Sequence, residues 1–268
     1  MMIYTSTDFD PNQSPAYSLL VRAGEGESTL AIVDQQGQLK LVAVYQPNSI
    51  GEDIEDILAL DFAVVKLSVP ESHYTFIPEE VFDAEKLAAY LPYLPDDGLT
   101  ATTVSRIKSH DIRLLYQTDK RDIGGLISRF PQVITYPVIQ VLLNGFARER
   151  IQEDRSVLIL DRHGDTLTVI CFDNGKFVYA NDFKIVEDID VNYYLQSVLS
   201  HLNVDITKLL LILSGDIQKT DEIYQWASES SEEVRFVDSA SFTGVTIPEE
   251  LQSIQHQFFT LLGLHQCE

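Results

Sequence analysis

SVLILDRHGDTLTVICFDNGKF, residues 156–177, has a second copy near the other end of the chain. Shifted back by 138 positions it falls without a gap on SLLVRAGEGESTLAIVDQQGQL, residues 18–39, with five of 22 positions identical. Gly164 meets Gly26, Gly175 meets Gly37, Asp165 meets Glu27, and Thr166 meets Ser28. In the second copy, residues 157–160, 168–172 and 176–180 are rich in β-branched and aromatic types. Asp173-Asn174-Gly175 is a tight-turn signal, because Asn and Gly tolerate positive φ. Each copy therefore predicts a three-stranded antiparallel meander.

The segments after the two meanders correspond as well. After the first come a short helical stretch at 49–60 and an apolar strand at 62–69. After the second comes 188–202, with Tyr194, Leu195, Val198, Leu199 and Leu202 at helical spacing, and then the continuous apolar run 208–213. Helix, strand, helix closes the first half over 120–130, 132–136 and 138–150. The same order closes the second over 220–230, 234–237 and 248–264, where Pro248 suits a helix start. The expected order is βββαβαβα, twice. Residues 70–118 have no counterpart and read as an inserted subdomain, with a helix at 78–90, a Pro/Gly/Asp break at 92–98 and strands at 100–107 and 112–116. The expected division is a first lobe at 1–150, carrying the insertion at about 70–118, and a second lobe at 151–268.

Composition restricts the function. The 268 residues carry 41 acidic and 19 basic side chains, a net charge of −22. That field repels nucleic acid and anionic lipid. The opening MMIYTSTDFDPNQSP has neither a basic nor an apolar leader segment, and no run approaches a membrane span. A cytoplasmic protein without membrane insertion is expected. Two cysteines, Cys171 and Cys267, make no disulfide framework, and the six histidines show no paired metal-ligand spacing. No metal site is expected. His163 reads as a solvated hairpin residue. Ile223, Trp226 and Ala227 predict the buried stripe of an acidic amphipathic helix.

A duplicated βββαβαβα chain resembles the superfamily of actin, sugar kinases and heat-shock chaperone ATPases, α/β proteins with ribonuclease H-like lobes. More closely, the first meander, Ile77-Pro78-Glu79-Glu80-Val81-Phe82 and the ending Phe258-Phe259-Thr260-Leu261-Leu262-Gly263-Leu264 are similar to an uncharacterised bacterial family assigned that fold. The resemblance implies a nucleotide site between the lobes. In active members an Asp ending the first strand of each meander serves the metal, Gly and Thr residues bring amides to phosphate, and a late Gly-Gly pair lines the adenosine. Here Asp161-Arg162-His163-Gly164-Asp165-Thr166 keeps Asp161, Gly164 and Thr166 of the second-lobe loop, with His163 and Asp165 in place of glycines. Ser214-Gly215 keeps one Gly of the late pair. In the first lobe Ala23 takes the place of the Asp, Gly26 and Ser28 remain, and Glu25 and Glu27 add carboxylates that repel phosphate. The candidate vestigial nucleotide residues are thus Asp161, Gly164, Asp165, Thr166, Ser214, Gly215, Gly26 and Ser28, with no catalytic residue assigned. The expected function is a non-catalytic interaction or scaffold protein that binds a protein partner or itself and needs no cofactor. The alternative is a divergent ATPase or kinase using ATP with Mg. Asp161 itself is expected to accept backbone N–H groups within its hairpin.

Overall fold

Central strands buried on both faces organise each part of the chain. The computed structural model describes all residues except 25, 96–99, 101, 119–122, 148–154, 188, 203 and 205–207. They form two compact units: Met1–Gly145 with Thr243–Glu249 and Thr260–Glu268, and Phe146–Phe242 with Glu250–Phe259.

In chain order the first unit contains β1 (Met2–Thr5), β2 (Ser18–Arg22), β3 (Ser28–Val33), β4 (Leu39–Tyr45), α1 (Glu52–Leu58), β5 (Val64–Val69), β6 (His73–Pro78), β7 (Thr102–Ile107), β8 (Ile112–Gln117), α2 (Gly124–Arg129), β9 (Ile134–Pro137) and α3 (Val138–Gly145). Next come β10 (Ser156–His163), β11 (Thr166–Asp173), β12 (Lys176–Lys184), α4 (Ile189–Leu202), β13 (Leu210–Gly215), α5 (Glu222–Ser230), β14 (Glu233–Phe236), α6 (Ser239–Thr243) and α7 (Phe259–Gly263). The first main sheet has the order β1-β4-β3-β2-β5-β9 and the second β12-β11-β10-β13-β14. Without β1 the two orders are the same. In both, the meander is antiparallel and the remaining strands run parallel to its first strand. The chain is therefore a duplicated α/β protein.

The strand register corrects the sequence alignment by one residue. Leu19 and Val21 pack in the core that holds α1 residues Ile54, Ile57 and Leu58. Leu158 and Leu160 pack in the equivalent core with α4 residues Leu195 and Val198. Arg22 pairs with Thr29 and with Ser68, while Asp161 pairs with Thr168 and with Ser214. The first two strands of the repeat are thus offset by 139 positions, because a one-residue slip would turn every side chain to the wrong face. The shift of 138 holds again beyond the β3–β4 and β11–β12 turns, where Gly37 and Gly175 have φ of 76° and 71°. Asn174, at φ 48°, completes the tight turn read from the sequence.

Other expectations change too. β1 pairs with β4, although its four residues carry no clear strand pattern. The stretch read as a helix at 78–90 begins in β6 and continues as short 3-10 turns, Glu79–Val81 and Ala84–Ala89, with Lys86 out of helical geometry. β6, β8 and β7 form a separate three-stranded sheet within residues 70–118. The Pro/Gly/Asp break falls partly outside the described residues. The helix expected over 248–264 is a 3-10 stretch, Glu249–Phe258, followed by α7.

Instead of a second part running to residue 268, the segments Thr243–Glu249 and Thr260–Glu268 complete the first unit. Thr246 N–H donates to the Gly37 carbonyl at 2.8 Å, and Leu39 N–H to the Thr246 carbonyl at 3.2 Å. Lys66 Nζ donates to the Cys267 carbonyl at 2.5 Å. Gly263 lies so close to α3 that an added Cβ would stand 3.0 Å from the Val141 side chain.

In the second unit His256 is buried and donates from Nε2 to the Ile217 carbonyl at 3.0 Å. Burial disfavours its charged form more than this bond restores it, which holds its pKa below the ordinary 6.5. His265, half-buried near Lys66, is shifted the same way. As pH falls through about 6.5 the unfolded chain takes up protons that the folded chain refuses, so stability present above that pH is lost below it. Urea midpoints measured at pH 7.5 and 5.5 should show this loss, and His256→Gln, which keeps a donor for Ile217, should reduce it.

Candidate functional site

The candidate residues gather where β10 and β13 end side by side. Asp161 lies within β10, two residues before its end, not in the turn. Its side chain is 1% exposed, and Oδ1 accepts from Ser214 Oγ at 2.5 Å. His163 Nε2 stands 3.3 Å from Asp161 Oδ2, and its Nδ1 stands 3.7 Å from Asp216 Oδ1. The His163 side chain is 11% exposed, which corrects the reading of a solvated hairpin histidine. It sits between two carboxylates because residues 161 and 163 of a strand project on the same side. A buried carboxylate is tolerated when paired and hydrogen-bonded, and Ser214 with His163 meets that need.

Backbone contacts tie the same strand ends together. Gly215 has φ +74°, and a Cβ built on it would stand 2.0 Å from the Arg162 carbonyl oxygen. Only glycine fits. The next amide, Asp216 N–H, donates to that carbonyl at 2.7 Å, and Asp216 Oδ2 accepts from Gly164 N–H at 3.0 Å. The hairpin amide expected to serve Asp161 thus serves Asp216. Gly164 is in the left-handed region at φ 60°. Asp165 and Thr166 are exposed, Asp165 pairing with Lys184 at 3.1 Å and Thr166 Oγ1 lying 3.4 Å from Asp165 Oδ1. The structure brings Asp161, Ser214, Gly215 and Gly164 into one network, which His163 and Asp216 join; Asp165 and Thr166 stand outside it.

The first unit keeps the buried serine but differs around it. By register, Arg22 and not Ala23 occupies the place of Asp161. Ser68, the counterpart of Ser214, is fully buried, and its hydroxyl makes no hydrogen bond among the described residues. A guanidinium has no acceptor to offer it. Ala23 N–H continues the ladder to the Ser68 carbonyl at 2.9 Å. Gly24 N–H donates to Ser28 Oγ at 3.2 Å, and Ser28 is buried. Gly26 and Glu27 are exposed at the loop tip, and Glu25 lies outside the described residues. At the same sheet edge the first two amides of α3, Val138 and Ile139, donate to Glu71 at 2.8 and 2.7 Å. The protein's own carboxylate occupies the position at a helix N-terminus that suits an anion. Among the described residues no group of three His, Cys, Asp or Glu side chains is arranged to hold a metal ion. Among them, too, no helix is long and apolar enough to cross a membrane.

Duplicated sheets with these connections define the actin-like ATPase fold, and solved structures bear that out. A Bacteroides thetaiotaomicron protein described as having an actin-like ATPase fold and unknown function superposes with a TM-score of 0.77 at 16% identity, covering 97% of this chain and 99% of its own. The PilM–PilN type IV pilus biogenesis complex matches at 0.65 and 13% identity, over 92% and 97%. The ethanolamine utilization protein EutJ of Carboxydothermus hydrogenoformans matches at 0.51 and 13%, over 95% and 90%. No curated protein matches the sequence. Residues 6–229 match the model of the family described as protein of unknown function (DUF3822), and the chain belongs to that family.

The network makes two expectations measurable in urea unfolding. Asp161→Ala, which strands the Ser214 hydroxyl and the His163 ring, should cost about 3 kcal/mol, and Asp161→Asn, which preserves shape, about 1 kcal/mol. Gly215→Ala should cost several kcal/mol, roughly the extreme of single substitutions, because the Arg162 backbone must move.

Proposed function

We propose that this chain is an actin-like-fold interaction protein that performs no ATP chemistry, acting through association with a protein partner or with itself. The observation that carries the reading is the fate of Asp161. The carboxylate that the fold resemblance assigns to metal binding is buried beneath His163 and bonded to Ser214. In the first unit the equivalent position is Arg22, a cation unable to ligate a metal. The donors present do not fit a Mg-triphosphate. Gly24, Gly164, Val138 and Ile139 amides have acceptors within the protein, and Glu27 adds negative charge at the first loop tip. A net charge of −22 opposes the approach of a polyanion further.

Association is supported by surface chemistry. β12 ends its sheet, and Val178 on it, with Val186 and Tyr193 just beyond, is exposed at 48%, 78% and 72%. Open strand edges and exposed apolar side chains are features that partners cover. One protein of this fold occurs in a complex, PilM–PilN.

Isothermal titration calorimetry with Mg-ATP and Mg-ADP tests the proposal. No saturable heat is expected, and no phosphate release above the buffer rate. Micromolar, Mg-dependent ATP affinity, lost in Asp161→Asn at unchanged stability, would promote the divergent ATPase or kinase alternative.

A further inference from the structure

The first unit contains a cavity of about 170 Å³ whose wall includes Ala23, Gly24 and Ser28 of the first-lobe loop. It lies on the sheet face that α1 and α2 cover. Ala23, Tyr45 and Leu58 of its wall belong to the core on that side, and Leu126 packs against the same core. An engineered hole of about 150 Å³ lined by apolar side chains stays dry and accepts benzene. A cavity of this size therefore suits a ring or branched chain carrying a few further atoms.

The wall is apolar apart from a small set of polar groups. Tyr45 is 4% exposed, and its hydroxyl proton has no acceptor among the described residues. Burial raises its pKa, with Ser28 and Arg129 near enough to counter that in part. Ser28 is directly opposite Tyr45 across the β3–β4 ladder, so the two side chains share a face. The Ser28 oxygen accepts from Gly24 N–H and its own proton faces the Tyr45 oxygen, so the Tyr45 proton is the one left to be donated. Leaving a buried hydroxyl unpaired costs about 1–3 kcal/mol, a penalty that an acceptor in the cavity would remove. Arg129 is part of the wall, but it donates to Glu55 at 2.6 Å, which balances its charge.

From the Tyr45 proton left without an acceptor, the apolar wall and the balanced Arg129 we infer that this cavity binds a small uncharged molecule. Its ligand has an aromatic or branched apolar body of about ring size and one carbonyl-type acceptor directed to the Tyr45 hydroxyl. A carboxylate head is disfavoured, because Arg129 is already paired and the protein carries a large negative charge. The inference is independent of the reading of Asp161, since the cavity is built wholly from residues of the first unit.

Acetophenone, cumene and benzoate separate the features of this ligand: ring plus carbonyl, the same shape without an acceptor, and the charged head. Binding is followed by amide chemical shifts in ¹⁵N-labelled protein. Wild type should saturate with acetophenone, bind cumene about tenfold more weakly, as befits the loss of one hydrogen bond of about 1.4 kcal/mol, and show the weakest response to benzoate. Tyr45→Phe should lower acetophenone affinity to that of cumene and leave cumene unchanged. Leu126→Trp, which fills the cavity, should abolish both; if that variant is unfolded, Ile50→Phe takes its place. The inference is overturned if acetophenone gives no saturable shifts in wild type, if Tyr45→Phe binds it equally well, if filling the cavity leaves binding intact, or if benzoate binds most tightly.

Discussion

A strand buried on both faces must be covered by two layers, and that requirement governs both parts of this molecule. β2 and β10 are such strands: Leu19, Leu20 and Val21, like Val157 through Leu160, are removed from solvent whichever way they point. Parallel neighbours impose this, since crossover helices return over the sheet faces. In the first unit one face is covered by α1 and α2. α3 brings Ile139, Leu142 and Leu143 into the interior, and the late segment around Gly263 and Cys267 packs beside it. The chain returns to the first unit because α3, eight residues long, is a small cover for so wide a sheet.

The architecture was legible because its signals are local and repeated. Asn174-Gly175 demanded positive φ, the apolar run before Gly215 demanded an interior strand, and both recurred in the same order in the two halves. What stayed hidden depended on register or on distant partners. Matching glycines aligned the hairpin turns and so placed Ala23 opposite Asp161; the ladder, which sequence identity does not report, puts Arg22 there. His163 looked solvated beside Gly164, yet the strand continues through it and folds it onto Asp161. Residues 78–90 read as a helix, but Glu79 pairs with Arg113 of strand β8 and the stretch runs in short 3-10 turns. The Tyr45 cavity left no pattern at all, since a gap between correct core residues is a property of packing.

The two phosphate-type loops have diverged in opposite chemical directions from a common plan. Both retain a buried serine on the parallel neighbour, Ser68 and Ser214. In the second unit the serine has an anionic acceptor, a histidine covers the pair, and the aspartate beyond Gly215 gathers the hairpin amide. In the first a cation replaces the acceptor, and the loop closes on its own Ser28. The same backbone frame thus supports a polar lock in one copy and an apolar hollow in the other.

The return of Thr260–Glu268 to the first unit also sets an order for biosynthesis. A ribosome delivers β1 through α3 long before the stretch of chain that holds Cys267 against Lys66. Units normally fold as they emerge, the earliest first. Here the earliest sheet waits with part of its apolar surface uncovered until translation has passed residue 260, while the later one has most of its own residues by Phe242 and all of them by Phe259. The first unit therefore cannot close until Thr260–Glu268 have been made, and a chain cut short before Thr260 lacks its closing segment.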